Sequence, residues 1–493
     1  MTVIYGLLCL DLLVIIHEFG HFFVAKWCGI EVESFSVGMG PIILHKKMKG
    51  TDWRLSLIPL GGYCGLKGQS DFQLALNEKA KEVKGEPGSF YALHPFKRIL
   101  IAFAGPFANF LFAVIAYTII NIVGYSYYTT GNKIILANEI YESTSIPTVA
   151  ADAGLKTGDK IVAINGKPTP YFSDIYEKIA VNAQKKLVLT VERAESDEHG
   201  DSAKNDSATI GDSAKNDSAK NDRAKNDSAT EKTTRFEVEI VPQLNKETGG
   251  GVIGILSWSD AIIDEVKENT PAQKAKLEIG DKIIFVDDIP VQNTAEYRKV
   301  AGDKKDFTLT VEKADGSIFT TEKIEPETAE NGSKLIGIVF HADKVEKKRY
   351  HFFPALFHGF ADCTSNIALT FKGIAMLFKG IDITKAVSGP LRITVMLGDS
   401  AKEGFSAGFR AGLTNLLQFM SVISISLFIM NLLPIPILDG GLILFALIEM
   451  IIRKQVSPKI QYYVQFVGIA ILLLLFAVAL FGDVSYLIDK FKK

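Results

Sequence analysis

The sequence predicts a polytopic α-helical membrane protein of about four transmembrane helices, with a small membrane-associated β-hairpin or sheet and two inserted β-rich domains. Three observations carry this expectation. Near-continuous apolar runs begin at Val3, Phe96, Gly408 and Gln465, and with its flanks each can cross a hydrocarbon core of about 30 Å at roughly 1.5 Å per helical residue. The charged, turn-rich region between the second and third runs repeats itself at a fixed spacing. The first run is interrupted only by Asp11 and by His17-Glu18-Phe19-Gly20-His21, ionisable groups costly enough in lipid to point to a function.

Bulk composition agrees with this reading. Of 493 residues, 47% are hydrophobic, which suits a membrane protein with soluble inserts better than a soluble one. The net charge of −2 gives no basis for a nucleic-acid partner. Cys9, Cys28, Cys64 and Cys363 are too scattered for a disulfide framework or a cysteine-ligated metal site. No Lys or Arg precedes the first run and no small-residue cleavage pattern follows it, so it is expected to stay as a span rather than be removed as a signal peptide.

In the first span, Val3 to Val24, residues four apart lie about 40° apart around the helix axis, so His17 and His21 can offer their imidazoles to one ion. Glu18 projects beside them. This is the H-E-x-x-H pattern, in which two histidines hold zinc and the glutamate takes a proton from the attacking water. Two interfacial histidines at a helix end are the plainer explanation, but the chain holds only eight histidines in all. Lys26, Lys46, Lys47, Lys49, Arg54, Lys67, Lys97 and Arg98 crowd the loop that follows, which puts this loop inside and the N-terminus outside. Within it, Arg54 to Leu60 alternates partly and ends at Gly61-Gly62, predicting a strand and turn near the metal. Its edge could accept an extended peptide; an ordinary interfacial hairpin fits equally well.

The second span, Phe96 to Tyr125, carries Gly105-Pro106-Phe107-Ala108-Asn109, small residues that let helices pack closely. From Thr129 to Val345 the repeat dominates: Leu155-Lys156-Thr157-Gly158-Asp159-Lys160-Ile161 recurs 122 positions later as Leu277-Glu278-Ile279-Gly280-Asp281-Lys282-Ile283. Leu187 to Arg193 likewise matches Phe307 to Lys313, so two copies of one small domain are expected. Between the last strands of the first copy, 194–233 repeats Asp-Ser-Ala-Lys-Asn with no aromatic residue and is expected to be a disordered extension. His351 to Met396 spaces apolar residues as amphipathic helices do, suited to a membrane surface or to packing on the soluble domains.

The third span, Gly408 to Leu433, runs into Asn431-Leu432-Leu433-Pro434-Ile435-Pro436-Ile437-Leu438-Asp439-Gly440-Gly441. Pro434 and Pro436 must break the helix, and broken backbone at membrane depth is tolerated only where protein or a water-filled cavity surrounds it. Asp439 is therefore placed like a metal ligand, and the inward direction of both spans brings it to the depth of His17. Leu442 to Ile452 is too short to cross and is expected to be re-entrant or interfacial. A fourth span, Gln465 to Phe481 with its flanks, returns the C-terminus outside. The chain so divides into an N-terminal membrane region (1–126), two repeat domains (127–248 and 249–345), connecting amphipathic helices (346–407) and a C-terminal membrane region (408–493).

The Leu-x-x-Gly-Asp turn leading into an apolar strand resembles PDZ domains of the bacterial protease type. The membrane motifs together resemble the site-2 protease family of intramembrane zinc metalloproteases: His17 to His21, Phe35-Ser36-Val37-Gly38-Met39-Gly40-Pro41, Ile58-Pro59-Leu60-Gly61-Gly62-Tyr63, Gly105 to Asn109, and Asn431 to Gly441. The resemblance implies that His17, His21 and Asp439 bind Zn2+, and that Glu18 is general base and acid. It also implies that Asn431 contacts the substrate backbone beside the Pro434 and Pro436 loop, and that the Gly61-Gly62 hairpin pairs with the cleaved segment as a strand. It implies a bacterial inner-membrane enzyme with its termini and PDZ-like domains in the periplasm, and with the active site toward the cytoplasm. The implied substrates are single-pass membrane proteins already trimmed outside, of the anti-sigma factor type, and remnant signal peptides. The 194–233 insert departs from the family pattern in a loop remote from these motifs. Two competing readings are a membrane scaffold with a non-proteolytic metal site and a metal transporter through Asp11, His17, His21 and Asp439. The complete ligand set with its base, and the lack of a polar track in the other spans, count against them. The oligomeric state is not legible in the sequence.

Overall fold

The computed structural model describes residues 2–141, 146–194, 233–246, 248–328, 334–377 and 388–492; most of the low-complexity insert lies outside them. Backbone contacts divide the chain into two compact units, one comprising 1–128, 245–249 and 344–493, the other 129–244 and 250–343.

The first unit is helical. Its elements are α1 (Thr2–Trp27), strands β1 (Val32–Met48) and β2 (Thr51–Leu66), α2 (Gln69–Asn77), α3 (Pro95–Val123), α4 (Phe352–Leu377), α5 (Pro390–Ser406), α6 (Phe409–Leu432), α7 (Asp439–Ile452) and α8 (Pro458–Lys492). Among the described residues four segments are long and apolar enough to cross a membrane: Ile4–Trp27, Pro95–Val123, Phe409–Leu432 and Pro458–Ile488. These are the four spans expected from the apolar runs.

α3 is the central post, packing on α1, α4, α6 and α7. Its buried Ala113, Val114, Tyr117 and Ile120 meet Cys363 of α4 and Ile425 and Ile429 of α6. In lipid, helix association draws on close van der Waals fit rather than on water exclusion, so small residues sit at the crossings. A Cβ on Gly20 of α1 would strike the Ala104 carbonyl of α3, and one on Gly359 of α4 would come within 2.8 Å of the Thr118 amide. The amphipathic helix α4 thus lies against α3 and α6, with Phe353 and Phe357 of its other face exposed. α5 is held by a carboxylate: Asp483 of α8, fully buried, accepts from the amides of Gly389 (2.8 Å) and Leu391 (3.0 Å) at its start.

β1 and β2 form one curled sheet. A turn at Lys49-Gly50, both with positive φ, joins them, and Lys47 pairs with Asp52. Ser34 to Val37 lie between the two halves of β2, pairing Ser34 with Asp52 and Gly65, and Val37 with Leu55 and Gly62. Gly38 (φ 81°) lets β1 bend there, its α-carbon so near the Ser56 and Ile58 carbonyls that a side chain would collide. The expected turn at Gly61-Gly62 is therefore corrected. β2 runs on through both glycines to Leu66, bending at Gly61 (φ 89°), because Ser34 to Val37 offer this second half a partner that local sequence does not reveal.

The second unit contains the repeat. Strands Lys160–Ile164 and Lys282–Val286 each sit second in a four-stranded antiparallel sheet of the same order, between a short hairpin strand and the long strand Leu187–Ala194 or Leu309–Glu312. Even the irregularity recurs, between Ile161 and Ala163 and between Ile283 and Phe285. In each turn the aspartate accepts a backbone amide three residues back, Lys156 for Asp159 (2.8 Å) and Glu278 for Asp281 (2.9 Å). Each also pairs with a base, Arg193 within the long strand of the first copy and Lys313 just past that of the second. The insert is bracketed by a ladder that extends to Ala194 and Thr233. Ile255–Ser257, beyond the expected end of the first copy at residue 248, pairs with Ile134–Leu136 and joins the first core.

Replacing Asp483 by alanine leaves two amides at the start of α5 without their acceptor in a buried site. We expect a loss of roughly 1–3 kcal/mol, read as a lower thermal midpoint in detergent, with Asp483→Asn falling between the two.

Candidate active site

α1 brings His17 and His21 to one face, as the four-residue spacing requires, and α7 brings Asp439 to them from the far end of the sequence. His17 Nε2 lies 3.1 Å from Asp439 Oδ2, His21 Nε2 3.4 Å from Asp439 Oδ1, and the two Nε2 atoms 3.2 Å from each other. One donor atom from each of the three falls within 4.8 Å of the others. Two imidazoles and a carboxylate are the donor types of a catalytic zinc site, in which the fourth position is kept for water or substrate.

The surroundings of the histidines fit a metal as well. His21 Nδ1 donates to the Ile101 carbonyl of α3 at 2.8 Å, which leaves the lone pair on Nε2. The side-chain amide of Asn109 sits 3.3 Å from His17 Nδ1, and the oxygen of that amide is buried with no partner. With the amide turned over, its oxygen accepts from His17 Nδ1–H and both groups are satisfied. Asn109 is itself anchored, its carbonyl accepting from Ser424 of α6 at 2.9 Å. Sequence reasoning took Gly105 to Asn109 as a packing motif and missed this role; a polar residue inside an apolar span was the available signal. Packing is nonetheless central there, since a Cβ on Gly105 would press onto the Nε2 atoms of both His21 and His17.

Asp439 owes its position to the broken loop. After α6 ends at Leu432, the chain turns through Pro434 and Pro436, the Ile435 amide bonding the Leu433 carbonyl at 2.7 Å and the Leu438 amide the Ile435 carbonyl at 3.0 Å. Ile437 is held at φ 142°, a strained value for a β-branched residue. The loop folds so tightly on the first turn of α7 that a side chain on Gly440 would collide with the Leu432 and Leu433 carbonyls, and one on Gly441 would lie 2.5 Å from the Ile435 carbonyl. Gly468 of α8 closes on the Pro436 carbonyl from outside. Asn431, in the last turn of α6, is half-buried, and its side chain makes no hydrogen bond among the described residues.

Glu18 points at the sheet. Its Oε2 accepts from the Cys64 amide of β2 at 2.9 Å, and the Cβ that Gly62 lacks would lie 3.9 Å from Glu18 Cγ. Two turns earlier on the same face of α1, the buried Asp11 faces the Gly61 amide. The second half of β2 is thus laid along α1. A cavity of about 510 Å³ opens beside it, lined by His21, Cys64, Leu66, Ile101 and Asp439 among others. A carboxylate, a three-donor cluster able to hold a metal and a strand thus meet beside one cavity, which are the parts that hydrolysis of an extended peptide requires.

Residues 5–475 match the model of peptidase family M50. The chain belongs to this family. A protein of Treponema pallidum (strain Nichols) whose name provisionally calls it a zinc metalloprotease is 39% identical over 489 residues, 99% of both chains. The regulator of sigma-E protease RseP of Escherichia coli (strain K12) is 29% identical over 498 residues, 98% of both chains, and the regulator of sigma E protease of Haemophilus influenzae 28% over 484 residues, 97% of both. The protein is a zinc metalloprotease of the site-2 type, with zinc as its cofactor and four helices suited to a membrane.

Two substitutions probe the geometry. Gly105→Ala should displace the imidazoles and abolish stoichiometric zinc, measured by metal analysis of detergent-purified protein whose circular dichroism stays unchanged. Asn109→Ala should weaken zinc roughly 10–100-fold in a chelator competition assay while leaving the helical content intact.

Proposed function

We propose that the protein cleaves peptide bonds within transmembrane segments of single-pass membrane proteins after a first cut outside the membrane. His17, His21 and Asp439 would hold the zinc, which when bound acts as a Lewis acid on the scissile carbonyl and on water. Glu18 takes a proton from the attacking water and delivers it to the leaving amide nitrogen. The carrying observation is that Glu18, beside the three-donor cluster, is also hydrogen-bonded to the edge of β2, so base and strand edge meet at one point.

A substrate helix hides its carbonyls in its own hydrogen bonds and must unwind before attack. Adding the unwound segment to Gly61-Gly62 and the rest of the edge replaces part of what it loses. In this reading the side-chain amide of Asn431 binds the substrate backbone, and the Pro434 and Pro436 loop holds it against α7. The two repeats act as PDZ-like modules outside the membrane, excluding substrates that have not been trimmed. Basic residues between the first and second spans support a bacterial inner-membrane orientation with the active site toward the cytoplasm and the termini and repeats in the periplasm. The relatives of Escherichia coli and Haemophilus influenzae are named for sigma-E regulation, which supports anti-sigma-type substrates; remnant signal peptides share the same single-span chemistry.

The test compares wild type with Glu18→Gln on a membrane-embedded single-span reporter in proteoliposomes. The variant should keep its zinc and lose at least about a hundredfold in cleavage rate. Equal cleavage by both would exclude Glu18 as the base, and cleavage confined to the reporter's soluble flanks would exclude intramembrane action.

A further inference from the structure

A second cavity, of about 440 Å³, lies at the opposite end of α7 from Asp439, where α7 stops at Ile452 and α3 begins at Pro95. Its wall carries His94, Arg98, Glu449, Arg453 and Lys454. Three permanent cations face a single carboxylate, and that carboxylate is already engaged. One Glu449 oxygen pairs with Arg98 and the other accepts from the Val456 amide at 3.1 Å. Arg98 is only 5% exposed, yet beyond its ion pair its Nε–H has no acceptor. A buried guanidinium donor left without an acceptor is costly enough that an acceptor is expected there. Arg453 and Lys454 are exposed and form no ion pair among the described residues.

The place in the fold narrows what the acceptor can be. The cavity sits at the first turn of a membrane span, and the exposed apolar side chains of Phe96, Met450 and Ile451 lie on the same two helix ends. Positive charge with one buried donor suits a singly charged phosphodiester, and the apolar flank suits acyl chains. Basic pockets between membrane helices are where anionic headgroups bind.

We propose that this cavity binds the phosphodiester of an anionic phospholipid, which accepts hydrogen bonds from Arg98, Arg453 and Lys454 while its chains lie along Phe96, Met450 and Ile451. This does not rest on the proteolytic reading, since none of these residues belongs to the zinc site.

The full-length protein, exchanged into mixed micelles containing phosphatidylglycerol or phosphatidylcholine, is examined for retained lipid by native mass spectrometry. Wild type should retain one phosphatidylglycerol in preference to phosphatidylcholine. The double variant Arg453→Gln/Lys454→Gln, both exposed positions, should lose that preference with an apparent affinity lower by roughly thirtyfold, while its unchanged zinc content shows that the fold is intact. Equal retention of the two lipids by wild type, or equal phosphatidylglycerol retention by wild type and variant, would overturn the proposal. Displacement of the lipid by millimolar inorganic phosphate as effective as that by lysophosphatidylglycerol would reassign the cavity to free phosphate and overturn it equally.

Discussion

The membrane unit depends on one convergence: the carboxylate of Asp439 meets the imidazoles of His17 and His21 inside the helical bundle. Polar groups at such depth are tolerated only when they satisfy one another or hold an ion. Much of the surrounding architecture serves that requirement. Gly105 of α3 gives the imidazoles room, Ile101 and Asn109 of the same helix hold their outer nitrogens, and the glycines after Asp439 let the broken loop lie flat on α7.

The helix that bears His17 and His21 also lies along the second half of β2. Glu18 and Asp11 are seven residues apart on α1, and the amides they face, Cys64 and Gly61, are three apart on β2. Seven helical residues and three extended ones both cover about 10 Å, so helix and strand can run together with a carboxylate at each end of the contact. The second half of β2 then lies next to Glu18 without any loop having to bridge the two.

α7 joins two polar centres. At its start Asp439 meets the histidines; near its end Glu449, buried, pairs with Arg98 of α3. A buried ion pair adds little net stability but strongly disfavours any arrangement that separates it, so it fixes how α7 sits on α3. The helix too short to span the bilayer is in this way held at both ends by charge.

Much of this was legible in the residues. Four apolar runs became four long helices, the H-E-x-x-H spacing placed both histidines on one face, and the doubled Leu-x-x-Gly-Asp turn foretold two sheets of the same order, because period and spacing are local properties. Asp439 could be nominated because two prolines at membrane depth demand an enclosed loop. Local sequence could not show that β2 passes through Gly61-Gly62, since the partner that draws it on, Ser34 to Val37, is a neighbour only in space. Nor could it show that Asn109 faces His17 or that Arg98 finds Glu449 some 350 residues away. Those pairings follow from how α3 is packed among the other helices, and only the folded chain decides which face of a helix meets which partner.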